Sequence, residues 1–290
     1  MQQYHDLLKN ILENGVLKQN RTGIDTLSIF SPSIRHDMTT GFPLLTTKKM
    51  FFRGIVEEIL FFLRGDTNTK ILEDKGINIW KGNTSREFLD KQGLTSLPEG
   101  DIGCAYSFQW RNFNGQHSNI PATQNNSSGF DQIKDVYTKL TTNPTDRRII
   151  ISAWNPAQTK YMALPPCHIL YIFYTNVEKK ELSCHLTIRS NDIFLGWAFN
   201  FAELALLNLI FAKAIGYTAK EICMTSVDAH LYVNHIEQSK EQLSRSLLPL
   251  PTVNINKSIN SFDDIMSLRY EDFELKNYNP HGKLSAEMAV

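Results

Sequence analysis

The sequence predicts a mixed α/β protein, and two patterns carry that reading. Apolar residues recur at helical spacing in four well separated stretches, and β-branched or aromatic runs of strand length lie between and after them. With 42% hydrophobic residues in 290, the chain can bury a substantial core. That core could be one large domain or two, and no composition shift forces a boundary.

Tyr4, Leu7, Leu8, Ile11 and Leu12 fall at helical spacing before Gly15, which predicts an amphipathic helix over 3–14. Asn20-Arg21-Thr22-Gly23 reads as a polar turn, either a phosphate-contacting loop or an ordinary surface turn. Residues 27–30 and 33–36 read as short strands. Ile55, Val56, Ile59, Leu60 and Leu63 then make the apolar face of a helix over 52–64. Glu57 and Glu58 inside it project about 100° apart, so at most one faces outward with the charges. A carboxyl beside the apolar face would have a raised pKa and could shuttle protons; two solvated glutamates are the plain alternative.

Residues 78–111 are dense in aromatics, Trp80, Tyr106, Phe108 and Trp110 among them, which line a ring-binding cleft or simply pack. The Asn, Gly, Ser and Gln-rich stretch 112–129 reads as a loop. Ile133, Val136, Tyr137 and Leu140 mark a helix ending at Asn143-Pro144, and Asp146-Arg147-Arg148 leads into a strand over 149–154. Two arginines at a strand entrance form an anion site or a solvated turn.

Leu164-Pro165-Pro166-Cys167-His168 precedes a buried strand over 169–174. The paired prolines fix φ and remove two backbone donors, so Cys167 is delivered on stiff, non-helical chain at the strand's entrance. A rigidly presented thiol suits nucleophilic catalysis, and a small buried hydrophobe is the competing reading. In 182–190 Leu182, Cys184, Leu186 and Ile188 alternate with a polar face that ends at Arg189, beside Ser190. Residues 199–215 are almost continuously apolar, but Asn200, Glu203, Asn208 and Lys213 interrupt them, which favours a buried central helix over a membrane span. Asp228-Ala229-His230-Leu231-Tyr232 and a charged helix follow, and the apolar end Met288-Ala289-Val290 suggests a terminus that tucks in.

Thirty basic and thirty acidic residues balance to zero, which argues against a protein built to coat nucleic acid or anionic membrane. The four cysteines form no C-x-x-C pair and the N-terminus lacks the pattern of a signal peptide, so a reducing, intracellular compartment is expected. Zinc is not expected either, because the adjacent Cys-His pairs point to opposite faces of a strand. The clustering of Arg21, Arg147, Arg148 and Arg189 with a presented cysteine is self-consistent, since arginines both bind phosphate and lower a thiol's pKa.

Leu164-Pro165-Pro166-Cys167-His168, with Asp146-Arg147-Arg148, Arg189-Ser190-Asn191-Asp192, Leu195-Gly196, Phe199-Asn200 and His230-Leu231-Tyr232, resembles the thymidylate synthases, in order and from end to end. The resemblance implies a single catalytic domain over 1–290, with a large mixed sheet packed by helices and lying at the interface of a homodimer whose active sites are shared. It implies a cytoplasmic methyltransferase of nucleotide biosynthesis, converting deoxyuridylate (dUMP) to dTMP with 5,10-methylenetetrahydrofolate as cosubstrate, and needing no metal, flavin, membrane or nucleic acid. By match of position, Cys167 would attack uracil C6 and Asn200 would read the uracil edge. Glu58 and Tyr106 would handle protons, and His168 and Asp192 join the catalytic set. Arg21, Arg189 and Ser190 would hold the phosphate, with Arg147 and Arg148 reaching in from the second subunit, and His230 and Tyr232 would hold the sugar. Ile79, Trp80, Asp192, Leu195, Gly196, Phe199 and Val290 would line the folate site.

The chain departs from the family where Gly103-Cys104-Ala105-Tyr106-Ser107 replaces Gly-Pro-x-Tyr-Gly, Thr187-Ile188-Arg189-Ser190 replaces Tyr-Gln-Arg-Ser, and Ala198-Phe199-Asn200-Phe201-Ala202-Glu203-Leu204 replaces Pro-Phe-Asn-x-x-Ser-Tyr. A dUMP hydroxymethylase of the same fold, or a catalytically impaired relative binding nucleotide or RNA, are the alternatives. Retention of Cys167, Glu58, Asn200 and the arginines weighs against the impaired relative. Trp80 and the apolar tail favour methylation, because a dry site lets hydride outcompete water.

Overall fold

A computed structural model describes residues 1–20, 22–120 and 128–287. The elements run α1 (Gln2–Asn14), β1 (Val16–Lys18), β2 (Thr26–Phe30), β3 (Ser33–Asp37), α2 (Phe52–Arg64), α3 (Lys70–Glu73), α4 (Arg86–Lys91), α5 (Tyr106–Asn112) and α6 (Gln132–Thr142). They continue with β4 (Ile150–Ser152), β5 (His168–Asn176), β6 (Glu181–Asp192), α7 (Trp197–Ala214), β7 (Thr218–Tyr232), α8 (Ile236–Ser244), β8 (Thr252–Ile255), α9 (Phe262–Met266) and β9 (Phe273–Lys276).

The fold is the expected mixed α/β architecture, a seven-stranded sheet ordered β1-β2-β7-β6-β5-β4 with β3 also paired to β7. Among the described residues only β6 and β7 run parallel, and a parallel pair needs a crossover, which α7 supplies. In β6, Leu182, Cys184, Leu186 and Ile188 are buried while the alternate residues are only half-covered, so one sheet face takes the helices. On the other face, Tyr174 is 69% exposed.

Helix α7 is long and apolar enough to cross a membrane, yet 72% of it is buried inside the protein. A helix that is apolar all round belongs in a core. Phe201, Leu204, Leu207 and Phe211 are fully buried along it, each contributing on the order of 2 kcal/mol by leaving water. Tyr4 of α1 donates to the Ile193 carbonyl at 3.1 Å and to Gln242 at 3.3 Å, so the first helix is fastened to the end of β6 and to α8.

Several elements escape the sequence reading. Strand β7 carries Lys220 and Glu221 in its first turn of alternation, and these charges mask the buried Ala219, Ile222 and Met224. Helix α5 is short and lies within the aromatic stretch, and β8–β9 is a two-stranded sheet of four-residue strands.

Candidate active site

A cavity of about 910 Å³ opens where the end of β6, the start of α7, helix α2 and the Pro165-Pro166-Cys167 segment converge. The parallel register of β6 and β7 sets Ser190 opposite Asp228 and Asp192 opposite His230, so residues far apart in sequence share one wall. Cys167 stands at the entrance of β5, half-buried and lining the cavity. The β5–β6 pairing slips between His168 and Leu170. Irregularities of this kind re-aim side chains next to functional sites.

Two contacts fix the cysteine's backbone. Its N–H donates to the Tyr106 hydroxyl at 2.8 Å, and its carbonyl accepts from the Arg189 N–H at 3.0 Å. Arg189 also donates from Nε to the Pro166 carbonyl at 2.9 Å and from its terminal nitrogen to Pro165 at 2.8 Å. The guanidinium, expected from the sequence as a phosphate ligand, here clamps the segment that presents the thiol; it lines the cavity at the same time.

Tyr106 opens α5 at φ +21°, a conformation uncommon for a bulky residue, and is 4% exposed. Burial, and then the neighbouring Cys167, push its hydroxyl well above its ordinary value, so it stays protonated. Gly103 just before it has φ +67°, and a Cβ there would meet the Tyr161 carbonyl at 2.2 Å, which explains the glycine at that turn. Cys104 occupies a buried position, its thiol against the carbonyls of Gln158 and Tyr161. Ser107 donates from its hydroxyl to the Asp66 carbonyl.

Neither glutamate of the α2 pair faces bulk solvent. Glu57 is 4% exposed and meets Lys75 at 2.6 Å, while Glu58 turns into the cavity and accepts from Trp80 Nε1 at 2.7 Å. Burial raises the Glu58 carboxyl above the ordinary carboxylate range, and hydrogen bonds from Glu203 and Trp80 partly oppose that. Burial likewise holds His168 neutral, pushing it down to about 4, with Asn200 as a partner. His168 Nδ1 also meets the Tyr171 hydroxyl at 3.0 Å. Asn200 donates to Asn191 Oδ1 at 3.3 Å, so its amide is oriented from two sides.

His230, Tyr232, Ile79, Trp80, Leu195, Gly196 and Phe199, each expected in a binding site, all line the cavity, as do Ser190 and Asp192. Asp192 accepts from the backbone of Phe194 and Leu195 at 2.9 and 3.1 Å, tying the turn that launches α7. Arg147 and Arg148 stand apart: both are exposed at the entrance of β4, and Arg148 pairs with Asp146 at 2.9 Å. Arg21 and Val290 lie outside the described residues. The sequence reading missed Asp228, which accepts from Ser28 at 2.6 Å and meets Lys18 at 3.4 Å at the cavity wall. It also missed Lys48, which is buried against Phe194 and pushed down to about 8 by burial. Among the described residues no group of three His, Cys, Asp or Glu is placed to hold a metal.

Comparisons with known proteins agree with one another. A bifunctional dihydrofolate reductase-thymidylate synthase of Paramecium tetraurelia is 46% identical over 288 residues, covering 99% of this chain and 61% of the relative. Against a second such protein, from Arabidopsis thaliana, the chain covers 50% of the relative, so it spans only about half to three-fifths of these bifunctional proteins. The thymidylate synthases of Homo sapiens and Saccharomyces cerevisiae are each 44% identical, and the chain covers 90% and 97% of them. The family model described as thymidylate synthase matches residues 2–290, and a match of that extent means that the chain belongs to the thymidylate synthase family.

Proposed function

We infer that this chain is one catalytic domain that methylates dUMP at uracil C5, with 5,10-methylenetetrahydrofolate as cosubstrate. The observation that carries the reading is the clamped Cys167, its backbone held by Tyr106 and Arg189 at the wall of a cavity large enough for a nucleotide and a second ring system. A thiolate adding to C6 forms an S–C bond and moves the C5–C6 electron pair toward O4, which makes C5 nucleophilic. The oriented Asn200 amide donates to the oxygen that gains charge. Glu58 and the protonated Tyr106 stand within the same cavity to move protons at the ring and at C5. His168 and Asp192 position these groups, through Asn200 and through the turn before α7.

Ile79, Trp80, Leu195, Gly196 and Phe199, with Asp192, fit a flat, partly polar ring system, since aromatic and aliphatic side chains there are joined by few polar groups. When bound, the folate supplies both the carbon and the hydride. Ser190 and Arg189 hold the phosphate and His230 with Tyr232 the sugar; Arg21 is assigned to the phosphate and Val290 to the folate side by family position alone.

The exposed Arg147 and Arg148 do not line the cavity that holds Cys167, which supports their serving the site of a second copy in a homodimer joined across the uncovered sheet face. A cytoplasmic location accords with the reduced cysteines, all four free. The test is mass analysis of the product from dUMP and methylenetetrahydrofolate. A methylated nucleotide is expected; a hydroxymethylated one assigns the alternative activity, and no product refutes both.

A further inference from the structure

Where the family usually has a serine, this chain has Glu203. It lies on α7 one turn beyond Asn200, is 1% exposed, and still lines the cavity together with Glu58 of α2. Two carboxyls therefore share one cavity, and the Trp80 indole there is already used by Glu58 at 2.7 Å. Among the described residues the buried Glu203 Oε1 has no hydrogen-bond partner. An ionised carboxylate with an orphaned oxygen is costly in such a place, whereas a neutral carboxyl needs only one partner for its O–H.

We propose that Glu203 is a positioning residue that stays protonated at neutral pH and donates its O–H to the Glu58 carboxylate, so that the two carboxyls share one proton. This rests on the methyl-transfer reading for its catalytic meaning, not for the proton itself. Among the described residues no cation acts on Glu58 or Glu203 strongly enough to let both ionise, although Lys18, Arg189 and Lys283 line the same cavity. Tyr106 on α5 and Tyr171 on β5 are pushed well above their ordinary values by burial, as is Cys184 on β6. His168 on β5 is pushed down to about 4. Glu203 itself is raised well above the ordinary range by burial first and by Glu58 second, while Glu58 is raised by burial, with the bonds from Glu203 and Trp80 opposing that rise. Two interacting buried carboxylates do not both persist, and the proton settles on the more enclosed partner.

The consequence is a base whose charge is held without a cation. A charged partner such as lysine would quench Glu58; a neutral acid holds it in place, orients it against Trp80 and leaves it able to take a proton.

Infrared difference spectra of the substrate-free, full-length protein at about pH 8 test the proton directly. The wild type should show a protonated-carboxyl carbonyl band that is absent from Glu203→Gln. The pH profile of kcat/KM for methyl transfer tests the positioning. Glu203→Gln keeps an N–H donor, so its acid limb should stay close to that of the wild type. Glu203→Leu removes the donor, and its acid limb should move up by about one to two pH units. A band that survives in Glu203→Gln, or an acid limb indifferent to Glu203→Leu in a folded variant, overturns the proposal. Circular dichroism establishes folding, and the infrared comparison stands even if the protein proves to make a different product.

Discussion

Replacing Trp80 with phenylalanine removes the indole donor on Glu58. The indole Nε1 lies 2.7 Å from Glu58 Oε1, and the ring is 7% exposed, edge-on to Tyr106 at 5.5 Å and to Phe62 at 6.3 Å. Phenylalanine keeps one ring of the packing and loses the N–H. A hydrogen bond to a charged group contributes about 1.5–3 kcal/mol, so its loss should raise the Glu58 pKa by about one to two units. The sign follows from which form takes the stronger bond: the charged carboxylate accepts more strongly than the neutral carboxyl, so removing the donor favours the protonated carboxyl. The acid limb of the turnover profile, measured with both substrates saturating, should shift up by the same amount, and turnover on that limb should fall at least about tenfold. The lost ring atoms should also lower stability by about 1–3 kcal/mol, read from urea denaturation at a pH where turnover is flat. An acid limb that stays in place, in a variant with the predicted loss of stability, would refute the assignment of Glu58 as the group whose ionisation the indole supports.

Cys167→Ser should abolish turnover while leaving dUMP binding by calorimetry within a few-fold, because the clamp on its backbone does not involve the sulfur; near-normal turnover would sink the covalent step. Asn200→Asp should shift base preference from uracil toward cytosine in a nucleotide competition assay, since a carboxylate accepts from an exocyclic amine but donates nothing to O4. Stability should decline as pH falls from about 6.5 to about 4 through His168, whose folded pKa lies below its unfolded value: the unfolded chain takes the proton and the folded one does not. The full effect is on the order of 3 kcal/mol, present above the unfolded pKa, and His168→Gln should flatten that part of the denaturation profile; an unchanged slope would show that another group controls it.

The elements that could be read from the sequence are those whose burial pattern is set by close neighbours. The four-residue rhythm of 52–64, the strict alternation of 182–188 and the Pro165-Pro166 constraint on Cys167 each follow from local geometry, and α2, β6 and the approach to β5 lie there. Strand β7 was not legible, because its pattern mixes charges with small buried residues and acquires its meaning only between β6 and the β2–β3 edge. The candidate site divides along the same line. That Cys167, Asn200 and Glu58 are special could be argued from residue type and from resemblance. That Arg189 clamps the prolines, that His168 is a neutral partner of Asn200, and that Glu203 faces Glu58 could not, since each depends on how α2 and α7 pack against one sheet. A chain specifies its periods locally, but a pKa or a hydrogen-bond partner is a property of what the other layers bring within a few ångströms, and only the folded molecule decides that.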